Sequence, residues 1–309
     1  MLKIGIVGMD KTARHHIRVM ADTGFTIAGI FAPQQSDARL FCQKMNIRYF
    51  SDFGQLLQEA EVVDLASPSP EYYPLAVQTI KKSRHLFLEN AVLASPEEAL
   101  QLIELTDEAH VIVQVNYPER YHPAYSTARA YVSDPLYIEA QRHIAFTTPN
   151  RSLPVVMDLM MHDIDIVLSL VKGNIRKVHA TGVKVFNGTP DIVNANLEFD
   201  NGVVVNLTAN RIASKNIRRI KLYQRHARIQ ADFLKNRVKV LRQKESSVEE
   251  PFIVKEPKII DQDKLTRSLL DFSNHIQLHK TPSVSLEDAY RNLKAAFLIN
   301  DKIELLSRQ

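Results

Sequence analysis

The first third of the chain alternates short apolar runs with longer amphipathic ones. Leu2–Val7 and Phe25–Phe31 are apolar and β-rich, whereas Thr12–Ala21 is helix-like. The same alternation predicts strands at Asn46–Phe50, Val62–Ala66, His85–Leu88 and Val111–Val115, and helices at Asp37–Met45, Phe53–Glu59, Pro74–Lys82 and Pro96–Ala109. Strands that alternate with helices of this length predict βαβ units and a parallel sheet, which right-handed crossovers make doubly wound.

The pattern changes at about Tyr117. After the helix-like segment His122–Val132 come the β-rich runs Tyr137–Ile144, Lys177–Phe186, Ile192–Phe199, Val203–Ala209, Ile217–Tyr223 and Arg228–Phe233. Asn201-Gly202 between two of these runs predicts a hairpin with a type I′ turn, because this dipeptide tolerates positive φ. Ser246–Asp263 is polar and predicts an exposed loop, and the tail predicts helices at Lys264–His279 and Leu286–Ser307.

These patterns predict an α/β protein of two domains. Residues 1–118 form a Rossmann-type domain with a doubly wound parallel sheet, and residues 119–309 form an α+β domain with a mainly antiparallel sheet. A length of 309 residues suits two domains, and 45% hydrophobic with 24% charged residues is ordinary for a globular protein.

The composition also narrows the class of protein. No apolar run approaches the ~18 residues of a membrane helix, and the N-terminus lacks the pattern of a secretory signal. The single cysteine, Cys42, cannot form an internal disulfide, so we expect a cytoplasmic protein with no membrane partner. The mild excess charge of +4 is concentrated near residues 211–244. Such a strip indicates a solvated sheet face, the rim of a pocket for an anionic substrate, or nucleic acid; no helix-turn-helix or aromatic platform accompanies it, so we expect no nucleic-acid partner.

A phosphate-binding turn is predicted after the first strand. Gly8 stands at the first glycine of a GxGxxG pattern, Asp10 at the second and Ala13 at the third. Alanine is tolerated at the third position, but a carboxylate at the second adds bulk and negative charge where a pyrophosphate would approach a helix N-terminus. Two interpretations stay open: a dinucleotide site, or a tight turn in which Asp10 is a surface or N-cap residue.

A second cofactor signal is also altered. An acidic residue normally ends the second strand and binds the ribose hydroxyls, but Ala32 stands in that position. Gln34 and Gln35 follow it and could bind the ribose, whereas no arginine follows immediately to favour a 2′-phosphate.

The chain resembles the Gfo/Idh/MocA family of NAD(P)-dependent oxidoreductases along essentially its whole length. The matching segments, in order, are Gly5–Gly8, Asn46–Asp52, Val62–Pro68, His85–Ala91, Glu119–Pro123 and Met157–Asp165. The resemblance implies NAD or NADP as cofactor, a small-molecule substrate that is a sugar derivative or cyclitol, and a homo-oligomer (dimer or tetramer) built on the second sheet. It implies cofactor contacts at Gly8, Met9, Asp10, Lys11, Ala32, Ser67, Pro68 and Glu89.

The resemblance also implies three catalytic positions. Asn90 stands where the family has a lysine that assists proton transfer, and an asparagine cannot act as an acid or base near neutral pH. Asp158 and His162 match the family's aspartate and histidine of the substrate site. Together with Asp165 they are spaced i, i+4 and i+7, which predicts one helix face.

The Asp158–His162 face has other interpretations. The Asp158–His162 face could make structural hydrogen bonds, or ligate zinc, although further ligands are not evident and we predict no metal. The remaining candidates, His15, His16, His85 and His143, are expected to be surface or packing residues.

Two functions follow from these residues. The first is an oxidoreductase that acts on a sugar or cyclitol hydroxyl with His162 as base. The second is a non-catalytic relative that keeps the fold for ligand sensing or as a scaffold. The departures at Asp10, Ala32 and Asn90 favour the second, and the retained pair Asp158 and His162 favours the first.

Overall fold

A computed structural model describes residues 1–146, 153–243 and 252–307, with the side chains of 304–307 left out. The chain forms two compact units. The first comprises Met1–Tyr121 and Gln262–Tyr290, and the second comprises His122–Asp261 and Arg291–Gln309. Within the described ranges, no helix has the length and apolar character needed to cross a membrane.

The first unit is built on a six-stranded parallel sheet with the order β3-β2-β1-β4-β5-β6. Its strands are β1 (Leu2–Val7), β2 (Phe25–Phe31), β3 (Tyr49–Phe50), β4 (Val62–Leu65), β5 (His85–Glu89) and β6 (Val113–Asn116). The connecting helices are α1 (Lys11–Val19), α2 (Ala38–Met45), α3 (Phe53–Glu59), α4 (Tyr73–Lys81) and α5 (Pro96–Ala109). The strand order reverses between β1 and β4, as in dinucleotide-binding folds, so the predicted doubly wound sheet is confirmed.

The second unit is built on an eight-stranded sheet with the order β14-β13-β12-β11-β7-β10-β9-β8. Its elements are α6 (Pro123–Arg129), β7 (Pro135–Ala145), α7 (Met161–Leu170), β8 (Ile175–Val183), β9 (Ile192–Phe199), β10 (Val204–Ala213), β11 (Ile217–Gln224), β12 (Ala227–Asp232), β13 (Arg237–Gln243) and β14 (Phe252–Lys255). Strands β7 and β10 pair in parallel and the other pairs are antiparallel. The prediction of a mainly antiparallel sheet is therefore confirmed.

Two strands differ from the prediction. The sequence pattern assigned no element to the residues of β13, and β14 lies inside the segment Ser246–Asp263 that was predicted as an exposed loop. All four residues of β14 are exposed, and the strand is ordered by its ladder to β13, with Val240 opposite Lys255 and Gln243 opposite Phe252. An edge strand of this kind depends on backbone pairing more than on burial, so its side-chain pattern carries little signal. Residues 246–251 of that predicted loop lie outside the described part of the chain.

The hairpin between β9 and β10 has a different turn from the one predicted. Gly202 has φ +86, whereas Asn201 is not among the described residues with positive φ. The amide of Gly202 donates to the carbonyl of Phe199 (3.1 Å), and the amide of Phe199 donates to the carbonyl of Val203 (2.9 Å). This pattern is a turn followed by a left-handed glycine in a bulge, so the hairpin is confirmed but the type I′ assignment is wrong.

The C-terminal helices are α8 (Lys264–Leu278) and α9 (Leu286–Ser307). Helix α8 returns to the first unit, where it buries one face in that unit's core through Leu265, Leu269, Phe272 and Ile276. The first unit is therefore discontinuous in sequence, and it ends its N-terminal part at Tyr121 rather than at residue 118. A division into two consecutive segments does not include this return, because the apolar face of α8 carries no information about which core it joins.

Candidate functional site

Gly8 occupies the switch point between β1 and β4. It has φ +100, and a Cβ atom built at this position would lie 2.0 Å from the Ser67 hydroxyl oxygen. Its amide donates to the carbonyl of Phe31 in β2 (2.9 Å), which ties the turn to the neighbouring strand. The left-handed conformation and the close approach of Ser67 both require glycine here. This is the crevice in which open α/β sheets bind ligands.

Asp10 caps helix α1 instead of projecting from the turn. Its Oδ1 atom accepts a hydrogen bond from the amide of Ala13 at 2.9 Å. The N-cap interpretation of Asp10 is therefore confirmed. Arg14 does not neutralise this carboxylate: its guanidinium donates to the carbonyl of Met9 and to Asp37, and it lies 4.8 Å from the centre of the Phe41 ring.

The other residues predicted to contact the cofactor differ in whether their side chains are exposed to solvent. Met9 and Ala32 are buried in the core of the first unit. The methyl side chain of Ala32 also has no polar atom with which to bind a ribose hydroxyl. Ser67 is also buried beside Gly8, whereas Lys11 and Pro68 are exposed. Backbone groups of the turn, together with Lys11 and the helix start, are therefore the features of this set that suit a dinucleotide phosphate.

Asn90 follows β5 directly and opens a short 3₁₀ turn, Asn90–Val92. Its carbonyl accepts from the amide of Leu93 at 3.3 Å, and its side chain is half-buried. Glu89, predicted as a cofactor contact, is buried at the end of β5. Its Oε1 atom accepts from the side-chain amide of Asn116 in β6 at 2.6 Å.

A histidine joins this carboxylate to a second one. His16 in α1 is buried, with its Nδ1 atom 2.8 Å from Oδ2 of Asp64 and its Nε2 atom 3.1 Å from Oε1 of Glu89. Burial by itself lowers the pKa of an imidazole, but the two carboxylates outweigh it and raise the pKa of His16 to about 10. The edge of the ring faces Phe87, with 6.0 Å between ring centres. We refer to His16, Asp64, Glu89 and Asn116 as the buried ion cluster.

Sequence reasoning missed the buried ion cluster. It placed His16 among surface or packing residues, and it included Asp64 only within the matching segment Val62–Pro68. A usable signal existed, because His16 shares a helix face with Ala13 and Ile17, which are both buried. Asp64 also stands inside an apolar parallel strand, where a carboxylate needs a partner.

In the second unit, Asp158 and His162 lie on either side of a change in helix type. Val156–Met160 forms a π-helical turn, and α7 begins directly after it. Both side chains are half-buried. A π-helical turn has i→i+5 hydrogen bonds and often marks a functional site. The predicted face was based on 3.6 residues per turn throughout, so the spacing of Asp158 from His162 follows a different geometry.

The neighbouring carboxylates have structural partners. Asp163 accepts two hydrogen bonds of 3.0 Å from the guanidinium of Arg142 in β7. Asp165 is fully buried and accepts from the side-chain amide of Asn292 in α9 at 2.8 Å. Asp165 is therefore held inside the second unit, whereas the side chains of Asp158 and His162 are half-buried.

Arg211, the first residue of the basic strip for which a solvated sheet face or the rim of a substrate pocket was considered, is buried instead. Its Nε atom donates to Oδ1 of Asp191 at 2.8 Å, and its Nη1 atom donates to the carbonyl of Leu153 at 2.8 Å. This ion pair fixes the residue that precedes Pro154 and the π-helical turn. Its role in the described structure is to anchor the segment that carries Asp158 and His162.

The residues of the candidate site allow cofactor binding and proton transfer. The Gly8 turn and the start of α1 fit a dinucleotide, because a glycine turn with positive φ leads into a helix N-terminus at the switch point of the sheet. His162 can accept a proton, whereas Asn90 can only hydrogen-bond. Within the described residues, no group of three or more His, Cys, Asp or Glu side chains is arranged to hold a metal ion.

Comparison with known proteins assigns both halves to one family. Residues 2–117 match the family model described as an oxidoreductase family with an NAD-binding Rossmann fold. Residues 125–230 match the model described as the GFO/IDH/MocA C-terminal domain.

Individual relatives are enzymes of sugars and cyclitols. The chain is 26% identical over 306 residues to UDP-N-acetylglucosamine 3-dehydrogenase of Acidithiobacillus ferrooxidans, covering 98% of this chain and 97% of the relative. The solved structure of that enzyme superposes with a TM-score of 0.93 over 100% of this chain and 99% of the other. The chain is 22% identical to the NAD⁺-dependent scyllo-inositol 2-dehydrogenase of Bacillus subtilis, over 68% of this chain and 67% of the relative.

Proposed function

Since the chain belongs to the Gfo/Idh/MocA family of NAD-binding oxidoreductases, we propose that it transfers hydride between NAD(P) and a CH–OH carbon of a sugar or cyclitol. The observation that carries this proposal is Gly8, which is held at φ +100 against Ser67 at the switch point of the sheet. Such a turn before a helix N-terminus is suited to a pyrophosphate.

The substrate we propose within this class is a sugar carried on a nucleoside diphosphate. The support is the extent of the match: similarity to the UDP-N-acetylglucosamine 3-dehydrogenase covers 98% of the chain. Similarity to the inositol dehydrogenase covers 68% of it. The match to the sugar-nucleotide enzyme includes the whole second unit. That unit contains Asp158 and His162, the proposed substrate-site residues, so the match supports a similar substrate.

Each residue then has a defined role. When bound, the nicotinamide supplies the hydride acceptor of the oxidation. His162 accepts the proton of the substrate hydroxyl, and Asp158 holds the orientation of the imidazole. Asn90 can form hydrogen bonds but exchanges no proton. The Gly8 turn, Lys11 and the start of α1 bind the phosphates.

Thermal-shift titration of the full chain with NAD⁺, NADH, NADP⁺ and NADPH tests whether the chain binds a cofactor, and which one. A cofactor at a hundredfold excess over its dissociation constant should stabilise the protein by about 2.7 kcal/mol. Turnover is then compared for UDP-N-acetylglucosamine and myo-inositol. Replacing His162 with alanine should abolish turnover with the true substrate, whereas replacing the exposed His179 of β8 should leave it unchanged.

The non-catalytic alternative rests on its own observation. The Asp10 carboxylate already binds the amide of Ala13 at the start of α1, where a phosphate would otherwise bind. Asn90, moreover, cannot take part in proton transfer. Failure of all four dinucleotides to stabilise the chain at millimolar concentration would refute the oxidoreductase proposal and leave this alternative.

We also propose, as the family resemblance led us to expect, that the chain forms a homo-oligomer through the sheet of the second unit. The support is a group of exposed apolar side chains at the end of β8 and just beyond it, Val183, Val185 and Phe186. Static light scattering tests this proposal, and a monomeric mass at micromolar concentration would contradict it.

A further inference from the structure

The two contacts of His16 determine its proton count. Both partners are carboxylate oxygens, at 2.8 Å from Nδ1 and 3.1 Å from Nε2. An ionised carboxylate only accepts hydrogen bonds, so each ring nitrogen must donate. The charged side chains that act on this ring are Asp64 from β4 and Glu89 from β5, and β6 adds the neutral amide of Asn116.

Glu89 is the member of the buried ion cluster that reaches the candidate site. It ends β5, and Asn90 opens the turn that follows it directly. Its Oε1 atom accepts from both His16 and Asn116, so the carboxylate is held from two neighbouring elements, α1 and β6. Helix α1 also carries the Asp10 cap and the turn at Gly8. One side chain of α1 therefore connects the phosphate turn to the segment that contains Asn90.

We propose that His16 is a positioning residue, which donates from both ring nitrogens to Asp64 and Glu89 and thereby fixes Glu89 and the Asn90–Val92 turn. The role of that turn toward substrate rests on the function proposed above, whereas the fixing of the turn does not. A neutral side chain in place of His16 leaves two buried carboxylates facing each other without a cation between them. Their repulsion would displace Glu89, because it lies at the end of its strand, whereas Asp64 lies within one.

Amide hydrogen exchange of the full chain without added cofactor tests the fixing of the turn. The variant is His16→Gln, and its matched control is His15→Gln, an adjacent and exposed histidine of the same helix. We expect exchange within residues 89–93 to rise on the order of tenfold in H16Q and to stay unchanged in H15Q. Exchange in β2, across the same sheet, should not rise to the same extent. Equal exchange at 89–93 in all three proteins, or an equal rise in β2, would overturn the proposal.

A second measurement needs no variant. Long-range ¹H–¹⁵N spectroscopy of the wild-type histidines at pH 8 should find protons on both ring nitrogens of His16. A single ring proton at this pH would refute the double donation, because one ring nitrogen would then face its carboxylate oxygen without a proton to donate.

The enzymatic readout is separate from both. With the cofactor that binds, H16Q should lose turnover on the order of a hundredfold, because a small displacement of a positioned group has that effect. A lower stability alone would leave the kcat of the folded fraction unchanged. Wild-type kcat in H16Q would overturn the positioning role. If wild-type protein binds no cofactor, the proposed function fails, and hydrogen exchange still decides the role of His16.

Discussion

At Gly8, both the backbone conformation and the neighbouring Ser67 side chain exclude other residues. We expect Gly8→Ala to destabilise the protein by about 1–3 kcal/mol, because a side chain at φ +100 is strained and its Cβ would overlap the Ser67 hydroxyl. Urea denaturation measures the loss. The control is Gly188→Ala, where an added Cβ has no neighbour within 4 Å, and where the change should stay within about 0.5 kcal/mol. Equal effects of the two substitutions would contradict the strain at Gly8.

The protonation of His16 makes a pH-dependent contribution to stability. Its pKa is about 10 in the folded protein against an ordinary value of 6.5, so the folded state keeps a proton that the unfolded state releases between these values. The contribution is full below pH 6.5 and is lost as the pH rises toward 10. We expect the free energy of unfolding to fall by as much as about 1.4 kcal/mol per pH unit in this window.

Urea denaturation from pH 6 to pH 10 measures this slope in wild type, H16Q and H15Q. Because the slope arises from the proton on His16, it should be reduced in H16Q and retained in H15Q. Parallel curves for the three proteins would show that His16 does not keep its proton on folding.

Among the elements, the loop between β8 and β9 is organised by a single carboxylate. Burial alone would raise the pKa of Asp191, but the amides of Phe186 and Val185, the side chain of Asn187 and the guanidinium of Arg211 hold it well below its usual range. Both members of the Asp191–Arg211 pair are almost fully buried. The pair therefore connects this loop, β10 and the start of the π-helical segment.

Removing one member should leave a buried charge without compensation. We expect Asp191→Asn to destabilise the protein by about 3–5 kcal/mol in urea denaturation. The exposed pairing of Glu198 with Arg176 provides the control, and Glu198→Gln should cost less than about 1 kcal/mol. Adding Arg211→Met to D191N should recover part of the loss. An additive double variant would show that the two residues do not act as a pair.

The sequence pattern predicted strands and helices well where buried positions recur regularly. It predicted them poorly where backbone hydrogen bonds, and not side-chain burial, determine the local structure. Strands such as β2 and β9 have the predicted bounds, because alternating or continuous apolar residues mark them. Strand β14 is fully exposed and was missed, and the turn at Gly202 depends on backbone hydrogen bonds that its composition does not specify. In the candidate site, Gly8 and the capping role of Asp10 were accessible from sequence. The His16 contacts were not, because they join α1, β4 and β5 across long separations.

The whole chain folds its first unit from two distant segments. Helix α8 begins at Lys264, more than a hundred residues after Tyr121, yet its buried face completes the core under β1, β2 and β5. Contacts of such long sequence separation slow folding, because the entropy of closing the loop must be overcome before they form. The final core of the first unit is therefore complete only when nearly all of the chain is available.

Phe272 tests this dependence. It is fully buried in α8, with its ring centre 6.0 Å from that of Phe25 and 5.5 Å from that of Phe87. Replacing it with alanine should destabilise the protein by about 3–5 kcal/mol, through lost burial and the cavity that remains. Hydrogen exchange should rise in β2 and β5, which lie far away in sequence but contact the ring. Leu270→Ala, at a more exposed position of the same helix, should change little. Unchanged exchange in both strands would mean that the first unit does not need α8 for its core.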